Sequence, residues 1–165
     1  MHRTSFAGMH CSIGQALEVV GEWWTPLILR NVYLGLHRFD ELVEDLGVSR
    51  NLLTARLDRL VANRVLERRP YQDRPARYEY HLTDAGRDVV PALMTLMAWG
   101  DRWTTPSGGP PMRLVHDGCG AVFTPRVACS ECGDVISAQT VTPTAGPGAA
   151  AGPGTHVLAR AVGRA

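Results

Sequence analysis

The residues best suited to chemistry in this sequence are four cysteines and one histidine. His116, Cys119, Cys129 and Cys132 form the pattern His-x2-Cys-x9-Cys-x2-Cys, and Gly120 and Gly133 follow the second residue of each pair. Two such pairs offer four soft or borderline donors, the set that tetrahedral Zn2+ takes. The glycines let the backbone fold beneath a metal, with amides free to reach the thiolates. All four positions are protein donors, so the expected role is structural, not catalytic. Two other readings stand beside it: a Cys129–Cys132 disulfide switch, and a metal-free tail. A three-cysteine site completed by another group would give nearly the same pattern. Cys11 is separate. It opens a helical segment, where the helix dipole favours thiolate, so it is a candidate redox residue as well as a candidate structural one.

Composition narrows the class. Hydrophobic residues make up 45% and charged residues 20% of 165 residues, enough for a packed core and against wholesale disorder. The sequence has no apolar run of transmembrane length and no basic-then-apolar leader pattern, so the expectation is a cytoplasmic protein with no membrane partner. No phosphate loop, nucleophile with a paired base, or carboxylate pair stands out, and the expectation is a non-enzyme. Formal net charge is +1, but its distribution is uneven. Residues 49–82 carry Arg50, Arg56, Arg59, Arg64, Arg68, Arg69, Arg74 and Arg77 against Asp58, Glu67, Asp73 and Glu79. All seventeen basic residues are arginine, a bias that removes weight from any single Arg-for-Lys choice.

The elements that would position these residues are mainly helical. Ile13, Leu17 and Val20 predict a helix over 12–20, stopped at Gly21. Thr25 as cap and Pro26 as first helical residue open a second helix that ends at Gly35. A third helix spans 40–46 and closes at Gly47, and Ser49 caps a fourth over 50–63. A three-residue turn with glycine between two short helices is a helix-turn-helix signature. Leu53, Leu57, Leu60 and Val61 share one face of the fourth helix. That leaves Arg50, Asn51, Thr54 and Asp58 outward, with Arg56 and Arg59 at the flank. Residues 65–69 and 78–82 read as strands joined by a long polar turn carrying Arg74 and Arg77. A hairpin after such a helix is a wing. Thr83 caps a last long helix to about Trp103, with Pro91 inside it. Its apolar stripe is too wide for a core of this size, which predicts burial against a second subunit, the alternative being packing on the first helix.

Several runs then resemble the HxlR-type winged helix-turn-helix family over roughly residues 9–103: Gly21-Glu22-Trp23-Trp24-Thr25, Leu36-His37-Arg38-Phe39-Asp40-Glu41-Leu42, Val48 to Leu57, Tyr78 to Gly86, and Met97 to Trp103. The resemblance implies a bacterial regulator, dimeric through its terminal helices, on an inverted-repeat operator. It implies that the helix at 49–62 enters the major groove and that the hairpin at 66–82 meets flanking DNA. Ser49, Arg50, Asn51, Thr54 and Arg56 become groove candidates, Arg59 a flanking one, and Arg74 and Arg77 wing candidates. Repression is the expected output. Cysteines at the place of Cys11 sense oxidants or electrophiles in some members, so the alternatives are a thiol-based redox regulator or, without DNA, a protein–protein adaptor. A small-molecule or oxidant effector belongs to the same set of expectations.

The expected architecture is thus a mainly α winged helix-turn-helix and dimerisation domain over 1–106 and a zinc-ribbon-like module over 107–140. An Ala/Gly/Pro-rich tail over 141–165 is expected to stay mobile, because residues 143–165 hold seven alanines, five glycines and three prolines. Val157-Leu158-Ala159 is its one apolar docking candidate.

Overall fold

The computed structural model describes residues 5–104 and 107–156. In chain order these form α1 (Ser12–Val20), α2 (Thr25–Tyr33), α3 (Phe39–Leu46), α4 (Arg50–Ala62), β1 (Leu66–Asp73), β2 (Ala76–Leu82), α5 (Asp84–Trp103), β3 (Leu114–Val115) and β4 (Val122–Phe123). The chain divides into two units. One runs through Gly86 and takes in the segment from Thr142; the other spans Arg87–Val141. The division differs from the expected boundary after residue 106, because nearly all of α5 belongs to the second unit. There Met97, Ala98 and Asp101 line a shared recess with Leu114, Val122 and Phe123.

In the first unit the core is built from Ile28, Leu29 and Val32 of α2, Leu42 of α3, Leu53, Leu57 and Leu60 of α4, and Leu66 of β1, all buried. Each such side chain stabilises the fold by roughly 1.5–3 kcal/mol on burial. The local signals act as their chemistry dictates. Gly47 ends α3 with φ +63°, a conformation that costs a residue with a Cβ about 1–2 kcal/mol. Ser49 then caps α4, its Oγ accepting from the Leu52 amide at 3.3 Å. Thr83 caps α5 by accepting from the Gly86 amide at 3.2 Å. Thr25 does not cap α2; it is the first helical residue, because the turn from Glu22 already winds into the helix (Thr25 N–H to Glu22 O, 2.9 Å).

The hairpin departs from expectation. Pairing runs from Leu66 opposite Leu82 out to Asp73 opposite Ala76, so the predicted polar turn is mostly strand and only Arg74-Pro75 forms the tip. Pro70 lies in that expected turn yet is paired, because β1 is the outer strand: β2 has a further bridge on its other side, Arg38 to Glu79. An outer strand tolerates a missing N–H, and an irregularity between Pro70 and Gln72 absorbs Tyr71. Helix, turn, helix and wing together make a winged helix-turn-helix.

The described part of the tail is not free-standing. Thr155 is buried, its hydroxyl bonding Ala150 O at 3.0 Å and Gly152 O at 3.2 Å. The Met9 thioether lies so close to Gly154 that a Cβ there would come within 2.9 Å of it. Composition shows that such a stretch lacks a core of its own, but not that its glycines admit a side chain from elsewhere. Val157-Leu158-Ala159 lies outside the described residues.

Candidate nucleic-acid interface

Ser49, Arg50, Asn51 and Thr54 are all exposed along the first turn and a half of α4. The Arg50 guanidinium is paired with Asp40 at 2.7 Å and lies 4.8 Å over the Phe39 ring, so the first turn of α3 holds it. Arg74 and Arg77 are exposed at the wing tip and have no carboxylate partner among the described residues. A shallow cleft between the two elements is lined by Asp40, Arg50, Tyr71, Arg77 and Tyr78. One end therefore presents forked donors suited to base edges, and the other presents free guanidinium groups suited to phosphates.

Arg56 and Arg59 are placed differently. Arg56 pairs with Glu22 and Arg59 with Glu18, each at 3.0 Å, with the arginine side chains 24% and 33% exposed. Arg59 also donates to the Glu18 carbonyl. These two arginines face the end of α1 and the turn after it, away from the exposed row of α4. Glu18 and Glu22, four apart, opposite Arg56 and Arg59, three apart, were the available signal. Arg68, meanwhile, binds Asp58.

Three features of the site were not foreseen. Arg38 stacks 4.7 Å above the Tyr71 ring while pairing with Glu79 at 3.2 Å. That hydrogen bond, followed by one from His81, holds the Glu79 carboxyl below its ordinary range. His37 accepts the Tyr80 amide on its carbonyl at 2.8 Å and stacks on His81 with centroids 4.2 Å apart, tying the segment before α3 to the wing. Beneath the site the buried Asn31 bridges α2 to α3 through Asp45 at 2.5 Å, with Arg30 donating to its side-chain oxygen.

Cys11 is the N-cap of α1, partly exposed, with its thiol unused in capping. The other three cysteines are also free thiols. Amides of Cys132 and Glu131 and the Cys132 side chain bond the Cys129 thiol and hold its pKa below the ordinary value. His116 packs edge-on to Phe123 at 6.1 Å. Among the described residues no three His, Cys, Asp or Glu side chains gather closely enough to hold a metal.

This fold, with an exposed polar row on α4 and a basic wing, defines a transcriptional regulator with a helix-turn-helix DNA-binding domain. The chain belongs to the HxlR-like helix-turn-helix family, which residues 19–108 match. It is 47% identical over 137 residues to the uncharacterised HTH-type transcriptional regulator Rv3095 of Mycobacterium tuberculosis, covering 83% of this chain and 87% of that one. The crystal structure of PA1607, described as a candidate transcription factor, superposes with a TM-score of 0.73 at 32% identity over 84% of this chain and 96% of that one. The oxidised form of the redox regulator HypR superposes at 0.53 with 27% identity, over 58% of this chain and all (100%) of HypR. The relatives are regulators, and the chain is a regulator and not an enzyme. Among the described residues no helix is long and apolar enough to cross a membrane.

Proposed function

We propose that this regulator is a repressor that binds an inverted-repeat operator as a homodimer, working in the cytoplasm. The observation that carries the reading is the exposed row Arg50, Asn51, Thr54 on a capped helix, beside a wing tip whose Arg74 and Arg77 have no carboxylate partner among the described residues. Arginine bidentate to guanine and asparagine bidentate to adenine each discriminate by about 1–3 kcal/mol. Ser49 is engaged in capping and contributes position. Arg56 and Arg59 we assign to intramolecular pairing.

Apolar exposure supports the dimer. Ile13 and Leu17 on α1 are exposed (71% and 41%), as are Leu96, Trp99 and Trp103 along one stripe of α5. A monomer rarely leaves such surfaces in water, and a two-fold mate that repeats them would cover them. Two reading helices related in that way fit half-sites about 34 Å apart or a related spacing. The test is selection of bound duplexes from a random pool, together with sedimentation of the free protein. An enriched inverted repeat and a dimer are expected; a monomer, or no enriched sequence, overturns the reading and favours a protein–protein adaptor.

A second reading makes the regulator redox-responsive through Cys11, with an oxidant or electrophile as effector. It rests on that partly exposed, uncapped thiol at a helix start and on the similarity to HypR. Mild oxidation should then release operator DNA from the wild type and not from Cys11→Ser. Equal release from both removes the reading.

A further inference from the structure

Residues 114–136 contain one backbone motif built twice, offset by thirteen positions, so that His116, Cys119 and Gly120 correspond to Cys129, Cys132 and Gly133. In the first copy Leu114 and Val115 pair with Phe123 and Val122, and in the second Ala128 pairs with Val135 while the Ile136 amide bonds Val127 O at 3.0 Å. The His116 amide bonds Ala121 O at 3.0 Å; its counterpart, Cys129, bonds Asp134 O at 2.9 Å. The Gly120 amide returns to His116 O at 2.7 Å, and that of Gly133 to Cys129 O at 2.9 Å. Both glycines are left-handed, at φ +69° and +78°. The intervening residues, Asp117-Gly118 and Ser130-Glu131, have nothing in common, so the shared geometry follows from the positions that repeat.

In the second copy the Glu131 and Cys132 amides bond the Cys129 sulfur. Little else holds the segment: Val115, Val122, Val127 and Val135 are all more than half exposed, and isolated two-stranded hairpins are marginal in water. A turn built twice, each time with two soft or borderline donors three positions apart and around almost no core, is the arrangement in which a bound cation supplies the folding energy.

We infer that residues 114–136 are a structural Zn2+ site of Cys3His type, one knuckle contributing Cys129 and Cys132 and the other Cys119 and His116. Among the described residues no three of these donors gather at one point, and the ion is what closes the two turns together. His116 has the position that cysteine has in the second copy, which makes it the fourth ligand by register as well as by spacing.

The test uses the full chain, purified without chelator. About one zinc per chain is expected, released as thiols are titrated, and Co2+ exchanged for it should show thiolate-to-cobalt absorption with tetrahedral bands. Cys11→Ser should keep the metal, and Cys132→Ser should lose it. His116→Ala should lose it at a chelator concentration that leaves the wild type loaded. His116→Cys should keep it, with cobalt bands moved towards those of four thiolates. Wild-type protein with no stoichiometric zinc and no cobalt uptake overturns the site, as does a Cys129–Cys132 disulfide in place of metal. Full retention in His116→Ala overturns His116 as ligand. None of these readouts involves DNA, so their failure would leave the repressor reading untouched.

Discussion

Arg50 is paired with Asp40 at 2.7 Å while its guanidinium lies over Phe39, so the side chain best placed to read a base is already held by the neighbouring helix. Both partners are about two-thirds exposed, and the pair itself is worth little in water, on the order of 0–1 kcal/mol. Its effect is on direction. Arg50→Ala should flatten the preference for operator over random duplex by about 1–3 kcal/mol. Asp40→Ala should raise affinity for random duplex, by removing a negative charge and freeing the guanidinium for phosphates, and so also reduce discrimination. Anisotropy titrations on both duplexes measure the two effects, and unchanged ratios in both variants would remove Arg50 from base reading.

The proposed role of the wing arginines, neutralising phosphates, is one that acts on all sequences alike. Arg74→Ala and Arg77→Ala should each weaken operator and random DNA equally, and each lower the slope of log affinity against log salt by about 1. A change in base preference from either variant would mean that the tip reads bases.

Arg59→Met tests the inward pair. It strips Glu18 of a partner that is two-thirds buried, and stability should fall by about 1–3 kcal/mol in denaturant titration. Operator discrimination should stay as in the wild type. Unchanged stability with altered discrimination would return Arg59 to the DNA-facing set.

The turn between α3 and α4 gives a fourth prediction. Ser49→Ala should cost about 0.5–2 kcal/mol through the lost cap. Gly47→Ala, at φ +63°, should cost about 1–2 kcal/mol. Thermal unfolding checks both.

Glu79 gives the acid side of the stability curve. Its carboxyl is held below 4.5 by Arg38 and then His81, so its contribution is in place above 4.5 and fades as pH falls through the lowered value. The group is partly exposed, and the effect should be small. Wing amides of the wild type should exchange faster as pH falls through the lowered Glu79 value than intrinsic rates explain, a loss that Glu79→Gln lacks.

The helices were legible because their ends are written locally: Gly47, Ser49 and Thr83 act within three or four residues of themselves. The exposed row of α4 followed from the same periodicity. Arg56 and Arg59 were not legible, since a leucine stripe defines the buried face and says nothing about what covers its flank. Here one acid of α1 and one of the turn after it, both distant in sequence, decide it. The length of the wing was hidden by Pro70 and Pro75, which read as turn residues until the order of strands makes β1 the outer one. The clamp on Arg50 and the stacking of Arg38 on Tyr71 depend on elements meeting in space, and no local pattern records that.

The strand-like link at His37 and Arg38 belongs to two things at once. It is hydrogen-bonded to β2 through Tyr80 and bridged to Glu79, and it leads directly into α3, whose turn sets the angle of α4. Helix α4 and the wing are therefore geared together: a twist applied at residues 37–38 swings both, changing the span between them without loosening either element by itself.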